Sequence, residues 1–174
     1  MIKLKNKSLY IIGIIVLIIV LVITYFVTKG GIKTVKEYKN DHYSFKYDST
    51  WELSEKKDST YLLHKTSKGK INVTYKVLDT YLIDVNLKDF ISDIIYEVEK
   101  QNKGYELINK TANEDGSYEL LYEKDQEESL VYIYKQDNIL LFVYYNTDNK
   151  YFDITMDTYD LIINNLKVFS GEKM

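Results

Sequence analysis

Residues 9–28, LYIIGIIVLIIVLVITYFVT, run for twenty positions without a charge. A helix of that length is about 30 Å long, the thickness of a bilayer's hydrocarbon. The many β-branched residues do not count against a helix here, because in lipid the backbone must close its hydrogen bonds internally. Tyr10, Tyr25 and Phe26 stand near the two ends, where aromatic rings favour the headgroup level. We assign residues 8–28 as a transmembrane helix that meets membrane lipid. Lys3, Lys5 and Lys7 flank it on one side, giving residues 1–7 as a short cytoplasmic N-terminus. Residues 29–41 read as a tether, and residues 42–170 as a domain on the extracytoplasmic side. The run is longer than a usual signal-peptide core and no A-x-A-like site follows, so an uncleaved single-pass anchor in the cell membrane is expected.

Residues 1–36 hold six lysines and no acid, which leaves 17 lysines against all 26 acids in the remainder. Such an acidic domain repels phosphate backbones, so nucleic acid is excluded as a partner. The chain has no Cys, which removes disulfides, thiolate metal sites and a cysteine nucleophile. Every one of its 23 basic residues is Lys, so no bidentate guanidinium clamp is available.

The domain alternates strand and helix signals. Tyr43, Phe45 and Tyr47 alternate with Ser44 and Lys46, a half-buried strand. Asp48-Ser49-Thr50 is turn chemistry. Trp51 and Leu53 resume the alternation, with Trp51 as a core plug. Tyr61–Thr66 and Ile71–Leu78 form a hairpin through Ser67–Lys70. Leu87–Lys103 places Leu87, Phe90, Ile91, Ile94, Ile95 and Val98 on one helical stripe, with Asn86 as N-cap and Gly104 suited to the C-terminal turn. Strands follow over Tyr105–Thr111, Ser117–Lys124, Ser129–Lys135 and Ile139–Asn146. A second helix over Lys150–Val168 carries Phe152, Met156, Tyr159, Ile162, Ile163 and Leu166 inward, capped by Asp148 or Asn149. The order β-β-β-α-β-β-β-β-α, rich in hairpins, predicts an α+β domain with a largely antiparallel sheet and two packed helices.

Catalytic constellations are scarce. His42 and His64 have no metal-ligand spacing, and neither a nucleophile elbow nor a phosphate-binding glycine loop occurs. No cofactor is implied and no enzyme is expected. Asp125, Glu127 and Glu128 gather in one expected loop, the kind of oxygen cluster a loose Ca²⁺ site uses, though without EF-hand spacing. Tyrosine is abundant, at 18 residues. Tyr118 and Tyr122 share one face of their strand, and Tyr132 and Tyr134 share one face of theirs. These four are candidates for a partner-binding surface, since Tyr joins an apolar body to a polar tip.

The opening Tyr43-x-Phe45-x-Tyr47, then a turn and Trp51, resembles the start of PsbP-like/Mog-like domains, whose motif is close to F-x-F-x-Y-P-x-x-W; Asp48 stands where that motif has Pro. The run ending Tyr144-Tyr145-Asn146-Thr147, followed by a helix with Phe152, Ile162 and Leu166, resembles their C-terminal part. The resemblance covers about residues 41–169 and implies an α-β-α sandwich. Functions in that family diverge among photosystem assembly, binding of a nuclear GTPase and bacterial envelope proteins, and no shared catalytic residues come with it. The expectation is a membrane-anchored, extracytoplasmic, non-enzymatic binding or accessory domain that acts on an envelope or membrane protein. The alternatives are an envelope sensor of a small ligand or Ca²⁺, and an envelope hydrolase.

Overall fold

The computed structural model describes residues 16–18, 34–101 and 103–169. The chain divides between Thr34 and Val35 into two units. Of the first, Val16–Ile18 are helical; the rest of the expected span lies outside the described residues. No helix among the described residues is long and apolar enough to cross a membrane.

The second unit is built on a seven-stranded sheet in the order β3-β4-β5-β9-β8-β7-β6. Its strands are β3 (Trp51–Lys56), β4 (Ser59–His64), β5 (Lys70–Val77), β6 (Glu106–Ala112), β7 (Tyr118–Lys124), β8 (Glu127–Gln136) and β9 (Ile139–Asp148). A smaller sheet in the order β1-β2-β10 is made of β1 (Val35–Lys39), β2 (Tyr43–Asp48) and β10 (Lys167–Val168). Every described pairing is antiparallel. The helices are α1 (Leu87–Gln101) and α2 (Phe152–Asn164), each preceded by a 3₁₀ turn, at Thr80–Leu82 and Asn149–Tyr151.

Alternation in the central strands produces two cores, one on each face of the large sheet. On one face Ile71, Val73, Leu130, Leu141, Val143 and Tyr145 meet Tyr43 and Phe45 of β2 and Tyr159 and Ile162 of α2. Trp51 closes one end of this core at 2% exposure. On the other face Leu120, Tyr122, Val131, Ile133 and Leu140 meet Leu87, Ile91 and Val98 of α1. The expected helical stripe is therefore real, and the α+β class with a largely antiparallel sheet holds.

Three local expectations are corrected. Residues 35–39, read as tether, form β1. Its polar sequence hides a strand that β2 holds through backbone pairing from Val35–Asp48 to Lys39–Ser44. The second helix is shorter than its apolar pattern: Asn164 ends it, and Lys167–Val168 turn away to pair with Ser44 and Tyr43. Neither Asp148 nor Asn149 caps it. Tyr151 occupies the N-cap without a side-chain bond, and the Asn149 amide donates to the Gln126 carbonyl at 2.8 Å.

Candidate functional site

The four candidate tyrosines do not form one surface. A two-residue turn at Asp125-Gln126 sets Lys124 opposite Glu127 and Tyr122 opposite Ser129. That register puts Tyr118 and Tyr122 under α1, and Tyr132 and Tyr134 on the α2 side. Tyr122 (0%) and Tyr132 (4%) are buried, so neither can touch a partner. Tyr118 and Tyr134 are half-buried on opposite faces. Tyr132 instead donates to Asp115 Oδ2 at 3.2 Å. Asp115 also accepts from the Ser117 hydroxyl at 2.6 Å and the Ser117 amide at 2.9 Å. Partial burial opposes ionisation of Asp115, but these bonds outweigh it and hold the carboxyl below its usual range.

The acidic cluster does not converge either. Asp125 sits in the turn at φ 53°. Glu127 and Glu128 are successive strand residues and so point to opposite faces. Glu127 Oε2 accepts from the Tyr105 hydroxyl at 2.6 Å. Glu128 is pushed up by burial, then by Glu123 and Asp153. Among the described residues no three His, Asp or Glu side chains could hold a metal ion together.

One Ser–His pair is present. The Ser67 hydroxyl lies 2.7 Å from His64 Nδ1, and the Ser67 amide donates to the same nitrogen at 3.1 Å. Nδ1 is therefore an acceptor, and Ser67, at 3% exposure, is closed into the β4–β5 loop. The Trp51 ring meets His64 edge-on at 5.1 Å. This is loop closure, with the serine hydroxyl turned inward.

What the fold does open is a groove of about 490 Å³ beside α1. Its helix wall presents Phe90 and Ile94, and its sheet wall Thr74, Phe142 and Tyr144. The Phe142 and Tyr144 rings stack at 5.9 Å. The groove exists because α1 is narrower than the sheet. No residue of β3 or β4 belongs to the core beneath α1, which leaves Tyr61 (37%) and Leu63 (46%) uncovered on that side. Cross-strand register aligns Tyr61 with Asn72 and Asn72 with Tyr144. The rim carries Asp93 and Glu97 from α1 and Lys76 from β5. Burial pushes the Tyr144 phenol up to about 12, so it is a neutral donor at ordinary pH.

Sequence reasoning passed over these groove residues. A usable signal was present: Phe90 and Ile94 lie four apart on one margin of the α1 stripe, while Leu87, Ile91 and Val98 mark its buried centre. Phe142 and Tyr144 alternate with the buried Leu141, Val143 and Tyr145, but a nearly all-apolar run hides which of its faces is fully covered.

No protein-family description and no curated protein matches the sequence. Solved structures do match in shape. The cyanobacterial PsbP protein CyanoP of Synechocystis sp. PCC 6803 aligns with TM-score 0.61 and 20% identity over 80% of this chain and 95% of its own. The Ran-binding protein Mog1p of Saccharomyces cerevisiae aligns with TM-score 0.57 and 9% identity over 78% and 96%. LpqN of Mycobacterium tuberculosis, described as involved in cell envelope biogenesis, aligns with TM-score 0.53 and 9% identity over 81% and 87%. At these identities the likeness is one of architecture, and on that ground the chain has the PsbP/Mog-like fold.

Proposed function

We propose that the chain is a non-enzymatic binding or accessory module of the cell envelope. Residues 8–28 anchor it in the membrane with the N-terminus cytoplasmic, and the domain from Val35 onward works on the extracytoplasmic side. The observation that carries the binding role is the partly covered sheet face: an aromatic-floored groove, with Tyr61 exposed on the same face one strand beyond Asn72. Exposed aromatic side chains lining a groove favour a partner over solvent. The occupant is a segment of an envelope or membrane protein offering apolar side chains to Phe142 and Tyr144, with a cation facing Asp93 and Glu97. Two structural neighbours support this direction, one being a Ran-binding protein and the other involved in cell envelope biogenesis. Anchoring raises the effective concentration of the module for partners in the same membrane.

The test is site-specific photocrosslinking of the full chain in intact cells. Crosslinkers at Tyr61 and Ile94 should capture the same partner, and one at Ile108, exposed on edge strand β6, should not. Equal capture from Ile108, or none from the groove positions, overturns the assignment.

A further inference from the structure

The large sheet has two free edges, β6 and β3, and they are built differently. β6 is interrupted by a bulge between Leu107 and Asn109, a break in the ladder that blunts an edge against further pairing. β3 pairs with β4 without a break, from Trp51–His64 to Lys56–Ser59. No described strand pairs with its other side, and Glu52, Ser54, Glu55 and Lys56 are exposed.

The direction of the β3 backbone groups follows from the next hairpin. The His64 amide donates to the Gly69 carbonyl at 2.9 Å. His64 and the alternate residues before it, Leu62 and Thr60, therefore turn their backbone groups to β5. Leu63, Tyr61 and Ser59 turn theirs to β3, where they face Glu52, Ser54 and Lys56. The amides and carbonyls of Leu53 and Glu55 are left pointing out from the free edge. Leu53 packs against the α2-side core, so the side chains of Glu52, Ser54 and Lys56 stand on the α1 side.

We infer that this edge pairs with the same edge of a second copy of the chain, antiparallel about a two-fold axis between the two Ser54 residues. In that register Leu53 faces Glu55 of the second copy, and each such pair exchanges two backbone hydrogen bonds. Ser54 faces Ser54, and Glu52 faces Lys56 twice over by symmetry. The neighbouring registers lose this match. Centring on Glu55 sets Glu55 against itself and Glu52 against Asp58, and centring on Leu53 sets Glu52 against Ser54. Opposite charges across strands favour pairing and like charges oppose it, so the side chains select the Ser54 register. Within one copy both charges are loosely held. Glu52 meets Lys65 at 3.8 Å in an exposed pair, and Lys56 Nζ lies 5.6 Å from the centre of the Tyr61 ring. Pairing joins the two large sheets edge to edge with both α1-side grooves facing the same way. A partner with repeated sites would then meet two grooves at once, at a raised effective concentration. The inference needs only the domain from Val35 onward and is independent of the proposed anchor.

The chain has no Cys, so an introduced one reports alone. Opposed residues that exchange no backbone bonds lie about 4.5 Å apart at Cα, which is within disulfide reach. The full chain in mild detergent, carrying Ser54→Cys, should oxidise to a covalent dimer about tenfold faster than the chain carrying Ile108→Cys, a position exposed on β6. Any anchor is common to both chains and does not enter the comparison. Adding Glu52→Lys or Lys56→Glu to Ser54→Cys places like charges opposite each other and should slow the dimer about fivefold. Adding both exchanges the pair and should restore the rate. All these side chains are exposed, and unchanged far-UV circular dichroism checks that each variant is folded. Equal rates at Ser54 and Ile108 overturn the pairing. A double charge exchange that stays as slow as the single changes overturns it as well.

Discussion

The two faces of the large sheet are finished differently. Where α2 and the small sheet lie, buried tyrosine hydroxyls meet polar partners. Tyr43 bonds Thr60 Oγ1 at 2.8 Å and the Val73 carbonyl at 3.2 Å. Tyr145 donates to the Phe152 carbonyl at 3.0 Å, and Tyr159 to Glu119 Oε1 at 3.0 Å. Under α1, the Tyr122 hydroxyl is buried without a protein partner. Other unpartnered buried groups fall on both sides, Ser129 Oγ and Asn72 Oδ1 under α1 and Thr147 Oγ1 and His42 Nδ1 on the side of α2 and the small sheet, so the contrast lies in the tyrosines. The reason lies in what covers each face. The elements over Tyr43, Tyr145 and Tyr159 bring hydroxyls and carbonyls within reach, whereas α1 lays an apolar stripe over Tyr122; the connection before α1 brings the Ile83 carbonyl to Lys135 Nζ at 2.7 Å instead. The face under α1 is also the one on which the groove remains.

The largest test treats the faces alike. Burial pushes Tyr43, Tyr132 and Tyr145 on the α2 side, and Tyr122 and Tyr144 on the α1 side, up to about 12. A phenol whose folded value exceeds its unfolded value of about 10 favours the folded state while neutral. Stability should therefore be unaffected by these groups below pH 10 and be lost as pH rises from 10 to 12, ending in outright unfolding. Absorbance at 295 nm followed beside far-UV circular dichroism checks this. Complete phenolate formation below pH 11 with the dichroism intact would show that the faces are wet.

Core truncation separates them. Trp51→Ala empties a nearly solvent-free site on the α2 side and should cost about 3–5 kcal/mol in urea unfolding. Phe142→Ala on the groove wall, already half-exposed, should cost about half that. Equal costs would mean that α1 closes its face as tightly as α2 does. Beside the indole, the buried Gly69 gives a second test: Gly69→Ala probes the packing around Trp51. A methyl there meets Trp51 Cη2 at 3.1 Å and Ser67 Oγ at 3.4 Å. Since the indole is fixed in the core, the expected cost is about 1–3 kcal/mol.

The sequence made the strong periodicities legible and left the weak ones hidden. Tyr43, Phe45 and Tyr47 announce β2 and the 3.6-residue stripe announces α1, because each marks a clear apolar face; that Ser44 and Asp48 on the other face of β2 are buried as well was not legible. VKEYK at β1 and the two residues of β10 bury little; they are strands only because β2 offers both its edges. The tyrosine surface failed on register, since a two-residue turn fixes which face Tyr132 takes, and a slip of one residue reverses it. The groove stayed hidden because its cause is a difference in width between a helix and a sheet, which no local pattern encodes.

The smallest expected effect is the sharpest on the contrast between faces. Tyr122→Phe removes a buried hydroxyl that no protein atom satisfies. A hydrogen bond contributes net stability only when made, and an unmade buried one costs the desolvation of the group. The substitution should thus change unfolding free energy by no more than about 0.5 kcal/mol, or stabilise the chain. The matched change Tyr159→Phe on the α2 side strands Glu119 Oε1, which accepts at 3.0 Å, and should cost about 1–2 kcal/mol. If Tyr122→Phe instead costs as much as Tyr159→Phe, its hydroxyl is bonded in solution to something other than this chain, and the site beneath α1 is polar and occupied.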